Sequence, residues 1–209
     1  MNDPSFPLLA LSRHRIGIDG VGVTTLVAGA GCPLSCAYCI NKKLLCQAPK
    51  RISPQELFDR VKQDDLYFRA TNGGLCFGGG ESLLHLDFME ALRPLCADWR
   101  LTAETSLHVS PAEARRAADL FDDFIIDVKT TDPDCYRRYT GRTPDHVMGN
   151  LCWYAEHLDP ARILVRIPLI PGYQDETAQE QCVRDLRALG YCGEIDTFPY
   201  IVPKQEANQ

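Results

Sequence analysis

An alternation constrains this chain more than any other feature. From Val23 onward, short apolar and β-branched runs are separated by stretches with helical spacing, with no repeat of fixed period. Six runs read as strands: Val23–Gly29, Leu75–Gly79, Leu101–Ser106, Phe124–Lys129, Ile163–Leu169 and Ile195–Tyr200. Between them, Ser53-Pro54-Gln55-Glu56 and Ser110-Pro111-Ala112-Glu113 each offer an N-cap, a proline for the first helical position and a glutamate to close a capping box. Farther on, Val147, Met148, Leu151, Ala155 and Leu158 recur at helical spacing within Thr143–Leu158, as do Val183, Leu186 and Leu189, and both stripes read as core. Successive βα units require parallel strands joined by right-handed crossovers. A full barrel of eight units needs about 250 residues. The chain has 209, so the expectation is an α/β fold, either an open doubly wound sheet or a partial (β/α)6 barrel with parallel strands. One core domain over 1–209 is expected, with a lead segment over 1–22 and a polar tail over 202–209.

The composition fits that reading. Apolar residues make up 45% and charged residues 24%, with a net charge of −6 and no charge block, which excludes disordered and fibrous chains and gives no reason to expect nucleic acid as a partner. No run reaches the roughly 18 apolar residues of a membrane span. The stretch Met1–Arg15 lacks the marks of a secretory signal, so a cytoplasmic monomer is expected. Ten cysteines in a reducing compartment are then buried apolar fillers or metal ligands, and spacing decides between these.

Ligands of parallel α/β folds sit at the carboxyl ends of the strands. Directly after the first strand comes Gly31-Cys32-Pro33-Leu34-Ser35-Cys36-Ala37-Tyr38-Cys39, a C-x3-C-x2-C run. Three local thiols without a fourth point to an iron–sulfur cubane with one open iron. The alternative is a zinc half-site in a structural metal-binding module. That site would need a second C-x2-C or histidine pair, and none follows, although Cys46 is an outlying fourth thiol. The remaining cysteines, Cys76, Cys96, Cys135, Cys152, Cys182 and Cys192, stand singly, as small hydrophobes do.

The other strand tips carry Gly78-Gly79-Gly80-Glu81, Glu104-Thr105-Ser106, Asp127-Val128-Lys129 and Arg166. Glycines let a ligand approach bare backbone N–H groups. Charges at the tips of apolar strands must pair with each other or meet a ligand. Lys129 and Arg166 suit a carboxylate; Glu81, Glu104 and Asp127 suit an ammonium, a cation or a sulfonium.

With these residues the chain resembles the radical S-adenosylmethionine enzymes, and within them the activating enzymes of glycyl radical enzymes, of the pyruvate formate-lyase activase kind. The similarity runs from Asp19-Gly20-Val21-Gly22 through the cysteine motif and strand tips to Arg166-Ile167-Pro168 and Pro171-Gly172. The resemblance implies a partial barrel holding a [4Fe-4S] cluster on Cys32, Cys36 and Cys39, whose open iron chelates S-adenosylmethionine. It implies that Gly79 and Gly80 take the amino group by backbone contact, with Glu81 near them. Lys129 and Arg166 would neighbour the carboxylate and ribose, and Tyr38 would offer its backbone to the adenine. Glu104, Thr105 and Asp127, with Ser106 beside them, match positions that hold a monovalent cation in activating enzymes. The chain departs from the family pattern at Val21, at Ile40-Asn41-Lys42 after the last cysteine, and at Ile201, where a histidine is usual.

The implied activity is reductive cleavage of S-adenosylmethionine and hydrogen abstraction by a 5′-deoxyadenosyl radical, with installation of a glycyl radical on a partner enzyme as one outlet. The alternative is direct lyase or mutase action on a small molecule such as a nucleobase or amino acid. Either needs a flavodoxin or ferredoxin as electron donor, for which Lys42, Lys43, Lys50 and Arg51 provide basic charge near the cysteine loop.

Overall fold

A computed structural model describes residues 4–202. Eight strands, β1 (Phe6–Ile16), β2 (Val23–Gly29), β3 (Lys50–Ile52), β4 (Gly74–Gly79), β5 (Arg100–Thr105), β6 (Asp123–Asp127), β7 (Ile163–Leu169) and β8 (Glu194–Pro199), form one sheet in the order β3-β1-β2-β4-β5-β6-β7-β8. The six expected strands are all present, and from β2 to β8 each pairs in parallel with the next.

Two strands were not expected. The lead segment contains β1, which pairs antiparallel with β2 from Leu8 opposite Gly29 to Ile16 opposite Val23, and β3 closes its other edge. The pairing of β1 is interrupted between Leu8 and Ala10 and again between Ser12 and Arg15. Each interruption resets which face a side chain takes, so no period of two survives along the strand. At three residues, β3 is too short to show a period. The expected polar tail from residue 203 onward lies outside the described residues.

Helices α1 (Lys42–Leu45), α2 (Pro54–Val61), α3 (Asp65–Thr71), α4 (Leu86–Leu92), α5 (Pro111–Leu120), α6 (Pro133–Thr140), α7 (Asp145–His157) and α8 (Glu176–Ala188) complete the units. Both capping boxes form: the Ser53 and Ser110 hydroxyls accept from the N–H groups of Glu56 and Glu113, whose carboxylates accept in return from the serine N–H groups, each at 2.8 Å. The core lies between helices and sheet, where Leu75, Phe77, Leu101, Ala103, Phe124, Ile126, Val165 and Ile167 meet Leu57, Phe68, Phe88, Met89, Leu151, Tyr154 and Leu186. Each Leu, Ile, Val, Phe or Met side chain among these contributes roughly 1.5–3 kcal/mol by leaving water. Strand residues alternate in facing, so Cys76, Thr102, Glu104, Asp127 and Arg166 fall on the opposite face, away from this core. Of the single cysteines, Cys76, Cys96, Cys135 and Cys182 are buried, Cys152 is half-buried, and Cys46 and Cys192 are exposed. Among the described residues no helix is long and apolar enough to cross a membrane.

Candidate active site

The cysteine loop is irregular backbone immobilised by its neighbours. A helix leaves its last carbonyls without intrahelical partners. Those of α6 serve the loop: Ser35 N–H donates to Thr140 O and Ala37 N–H to Tyr139 O, both at 2.9 Å. The helix stops there because Gly141 adopts φ +76°, and a Cβ at that residue would lie 2.6 Å from Ser35 Oγ. Arg142 Nε donates to Pro33 O at 3.1 Å. Behind the loop, the ring of Tyr38 stands 6.3 Å from that of Tyr139 and 5.7 Å from that of Tyr173, edge to face.

The glycine tip of β4 locks onto the same loop. Gly80 N–H donates to Gly29 O at 3.0 Å and Glu81 N–H to Gly31 O at 2.8 Å. Asn41 Nδ2 donates to Gly79 O at 2.8 Å. The expectation of bare N–H groups here is therefore corrected for Gly80 and Glu81, whose donors hold the loop in register. A Cβ on Gly80 would fall 2.0 Å from Gly31 O, so only glycine permits this approach.

Glu81 is held by the protein itself. It is 2% exposed, and its carboxylate accepts from Thr105 Oγ1 at 2.5 Å, Ser106 Oγ at 2.7 Å, Ser106 N–H at 2.9 Å and Leu83 N–H at 3.2 Å. Burial raises its pKa, against which those hydrogen bonds act. The carboxylate therefore braces the end of β5 against the turn after β4. Thr105 and Ser106 are drawn into the same brace.

The remaining charges form two pairs. Lys129 Nζ lies 2.9 Å from Asp127 Oδ2. Burial works against its charge, but Asp127 and Cys36 outweigh burial and keep the ammonium protonated. Arg166 Nη1 meets Glu104 Oε1 at 3.2 Å, while Nη2 donates to Ile18 O at 2.7 Å. Burial, then the negative charges of Asp127 and Asp19, push the Glu104 carboxyl up to about 7 despite Arg166. Burial similarly raises Cys32, and it raises Cys36 to about 11 with Lys129 opposing.

One cavity at the carboxyl ends of the strands gathers Cys32, Cys36, Cys39, Tyr38, Gly79, Gly80, Glu81, Glu104, Thr105, Ser106, Asp127 and Lys129. Arg166 is not among its lining residues: it reaches a second cavity near the amino ends of the strands, with Asp123 and Arg162. The Tyr38 carbonyl, the group expected to face adenine, accepts the Tyr200 hydroxyl. Asn41, Tyr139 and Tyr200 also line the first cavity and went unmarked in the sequence. The position of Tyr200 at a strand tip was the available signal; Asn41 acts on the Gly79 carbonyl, which only the fold brings to it, and nothing in the sequence marks Tyr139. None of the five histidines lines it. Among the described residues, no three His, Cys, Asp or Glu side chains close on a single ion; the thiols line a wall, and a cubane takes its thiolates at separate corners.

Residues 26–181 match the family model of the radical SAM superfamily, well over half of the 209 residues, and the chain belongs to that superfamily. It is an enzyme of the radical SAM type, and the family implies a [4Fe-4S] cluster and S-adenosylmethionine. A (2S)-3-sulfopropanediol sulfolyase activating enzyme of Bilophila wadsworthia is 23% identical, over 84% of this chain and 82% of its own length. The pyruvate formate-lyase-activating enzyme of Staphylococcus aureus (strain USA300) is 27% identical, over 76% of this chain and 66% of its own. The chain spans only about half of two further activating enzymes, 52% and 47%. In fold it is similar to Streptococcus suis SuiB, solved with its precursor peptide SuiA, at a TM-score of 0.65 and 13% identity over 87% of this chain and 41% of that one.

Proposed function

We propose that this chain holds a [4Fe-4S] cluster on Cys32, Cys36 and Cys39, binds S-adenosylmethionine beside it, and installs a glycyl radical on a partner enzyme. The observation that carries this reading is convergence. Three thiols from one loop share a cavity with the glycine tip of β4, the Glu104-Thr105 end of β5 and the Asp127–Lys129 pair after β6. Soft thiolates suit iron, and one open corner suits a chelating amino acid. When bound, the two cofactors supply one-electron cleavage of a carbon–sulfur bond and removal of a hydrogen atom.

The protein's part is to position them and to exclude water. Lys129, oriented by Asp127 and sensing Cys36, supplies the cation that offsets negative charge on thiolates and on a carboxylate. The locked loop keeps the thiols at the cavity wall. Glu104, Thr105 and Asp127 are the groups for a monovalent cation in this reading, and all three line the cavity. The partner assignment rests on relatives named as activating enzymes. A flavodoxin or ferredoxin would meet the exposed Lys42, Lys50 and Arg51, giving a reduction rate that falls as salt rises.

The test is anaerobic reconstitution with iron and sulfide, then reduction with S-adenosylmethionine present. A four-iron chromophore and 5′-deoxyadenosine are expected, with a glycyl radical signal when the cognate enzyme is added. Uptake of zinc without that chromophore would overturn the reading. Consumption of a small metabolite with no radical on any partner would replace the activating role by direct action.

A further inference from the structure

Strand β8 ends the sheet, so among the described residues one of its edges has no strand beside it. None of its six residues is buried, whereas Ile163, Val165 and Ile167 of its neighbour β7 are. An open edge of this kind presents unpaired N–H and C=O groups and is a template for another chain.

Two clefts run along β8 against α8. One is lined by Gln179, Glu180, Val183, Arg184, Thr197 and Phe198. The other is lined by Pro171, Gln174, Asp175, Thr177 and Tyr200, and Leu169, Glu176 and Pro199 belong to both. Phe198 and Tyr200 also line the thiol cavity. The clefts and that cavity therefore adjoin at the tip of β8, where Phe198 and Tyr200 form the shared wall and the Tyr200 hydroxyl is fastened to the Tyr38 carbonyl.

Charge selects what fits there. Asp175, Glu176 and Glu180 line the clefts and are exposed, and Glu194 and Asp196 are exposed on the strand itself. Arg184 is the one cation among the lining residues, and it lies 3.6 Å from Glu180. A second copy of this edge would set the same acids against their like, which opposes pairing. A basic segment meets them with the opposite sign.

We propose that the open edge of β8 and the clefts beside α8 bind an extended, basic segment of the partner enzyme as an added strand, which carries its glycine past Phe198 and Tyr200 to the thiol cavity. The proposal rests on the activating role proposed above and gives that role its docking surface. Main-chain hydrogen bonds to a strand edge supply affinity, and the flanking side chains supply selection.

The full-length metal-free chain is mixed with a blocked peptide that has a central glycine, β-branched neighbours and flanking arginines, and with its counterpart carrying glutamates for the arginines. Fluorescence anisotropy follows binding and amide hydrogen exchange follows β8. The arginine peptide should bind about tenfold more tightly than the glutamate peptide, and it should slow exchange in β8 while leaving β5 unchanged. Methylation of the peptide's backbone nitrogens should abolish both effects, because it removes the donors of the added strand. Glu176→Gln combined with Glu180→Gln should weaken the arginine peptide about fivefold, as loss of two exposed charge pairs does, at an unchanged melting temperature. Equal binding of the two peptides, or binding without protection of β8, overturns the proposal. So do β8 amides that are protected before any peptide is added, which would mean that the chain's own residues 203–209 or a second copy already cover the edge. None of these readouts needs the cluster, so a failed reconstitution would sink the activating role and leave the peptide result standing. A glycyl radical formed on a partner whose addition leaves β8 unprotected would sink this proposal alone.

Discussion

The two ends of the parallel sheet use similar residue types for opposite purposes. At the amino ends, Arg100 grips Asp123 through Nε and Nη2, both at 2.6 Å, and Arg93 grips Asp122 at 2.7 and 2.9 Å. Arg162 donates to the carbonyls of Ala118, Phe121 and Asp122 at 2.6–2.9 Å. These guanidiniums are closed onto strand and helix ends. At the carboxyl ends, Asp127 and Lys129 also pair, but they border the cavity that holds three thiols and the glycine tip. Charge fixes the frame at one end and lines the thiol cavity at the other, the end where parallel barrels place their ligands.

The sharpest way to break that comparison is Cys36→Ala. It should abolish 5′-deoxyadenosine formation while leaving the fold intact, because the thiol is not part of the core. Residual product at wild-type rate, measured anaerobically, would remove the carboxyl end as the site of chemistry. Next in size, Asp123→Ala at the amino end should cost about 2–3 kcal/mol of stability, since a largely buried guanidinium is left unpaired. Denaturant midpoints measure the loss. The folded fraction should bind S-adenosylmethionine with unchanged affinity, and a larger effect on binding than on folding would erase the distinction between the ends.

Much of this division was legible in the sequence, and the exceptions share a cause. Strands Val23–Gly29 and Ile163–Leu169 match β2 and β7 residue for residue, and both capping boxes form where proline and glutamate mark them. Local patterns of that kind depend on neighbours in the chain. The cysteine motif is equally local, so its cavity was foreseeable. The Arg166–Glu104 pair was not legible because strand alternation shows the face of Arg166 but not its partner, and Glu104 lies 62 residues away in sequence. Glu81 looked like a free carboxylate because nothing in Gly80-Glu81 announces Thr105 and Ser106 closing on it from another strand. Asn41 acts on a backbone carbonyl of strand β4, which carries no sequence signature.

Lys129→Ala sharpens the comparison at the carboxyl end itself. Removing the ammonium leaves Asp127 and the thiolates without their nearest cation, so affinity for S-adenosylmethionine should fall about tenfold, or about 1.4 kcal/mol, in a titration of the reconstituted protein. Stability should change less than in Asp123→Ala, because Asp127 is 40% exposed and water can take over. A variant that unfolds before it loses affinity would place Lys129 with the frame.

Glu104 sits where the two regimes meet, paired with Arg166 yet pressed by Asp127 and Asp19, and its titration decides which one governs it. In the folded protein burial and the neighbouring carboxylates push the carboxyl up to about 7 from its ordinary 4.5. Between those values the folded state holds a proton that the unfolded state has released, so stability is fully present below pH 4.5 and is lost as pH rises through 7. Glu104→Gln cannot ionise and escapes that loss. The side chain is 27% exposed, so the full shift overstates the energy, and the variant should gain about 1–2 kcal/mol on wild type between pH 4.5 and 8. Urea midpoints of the metal-free proteins at pH 5, 6, 7 and 8 measure this. A variant that instead loses ground as pH rises would show that the Arg166 pair keeps Glu104 ionised throughout, which would assign it to the closed pairs of the frame.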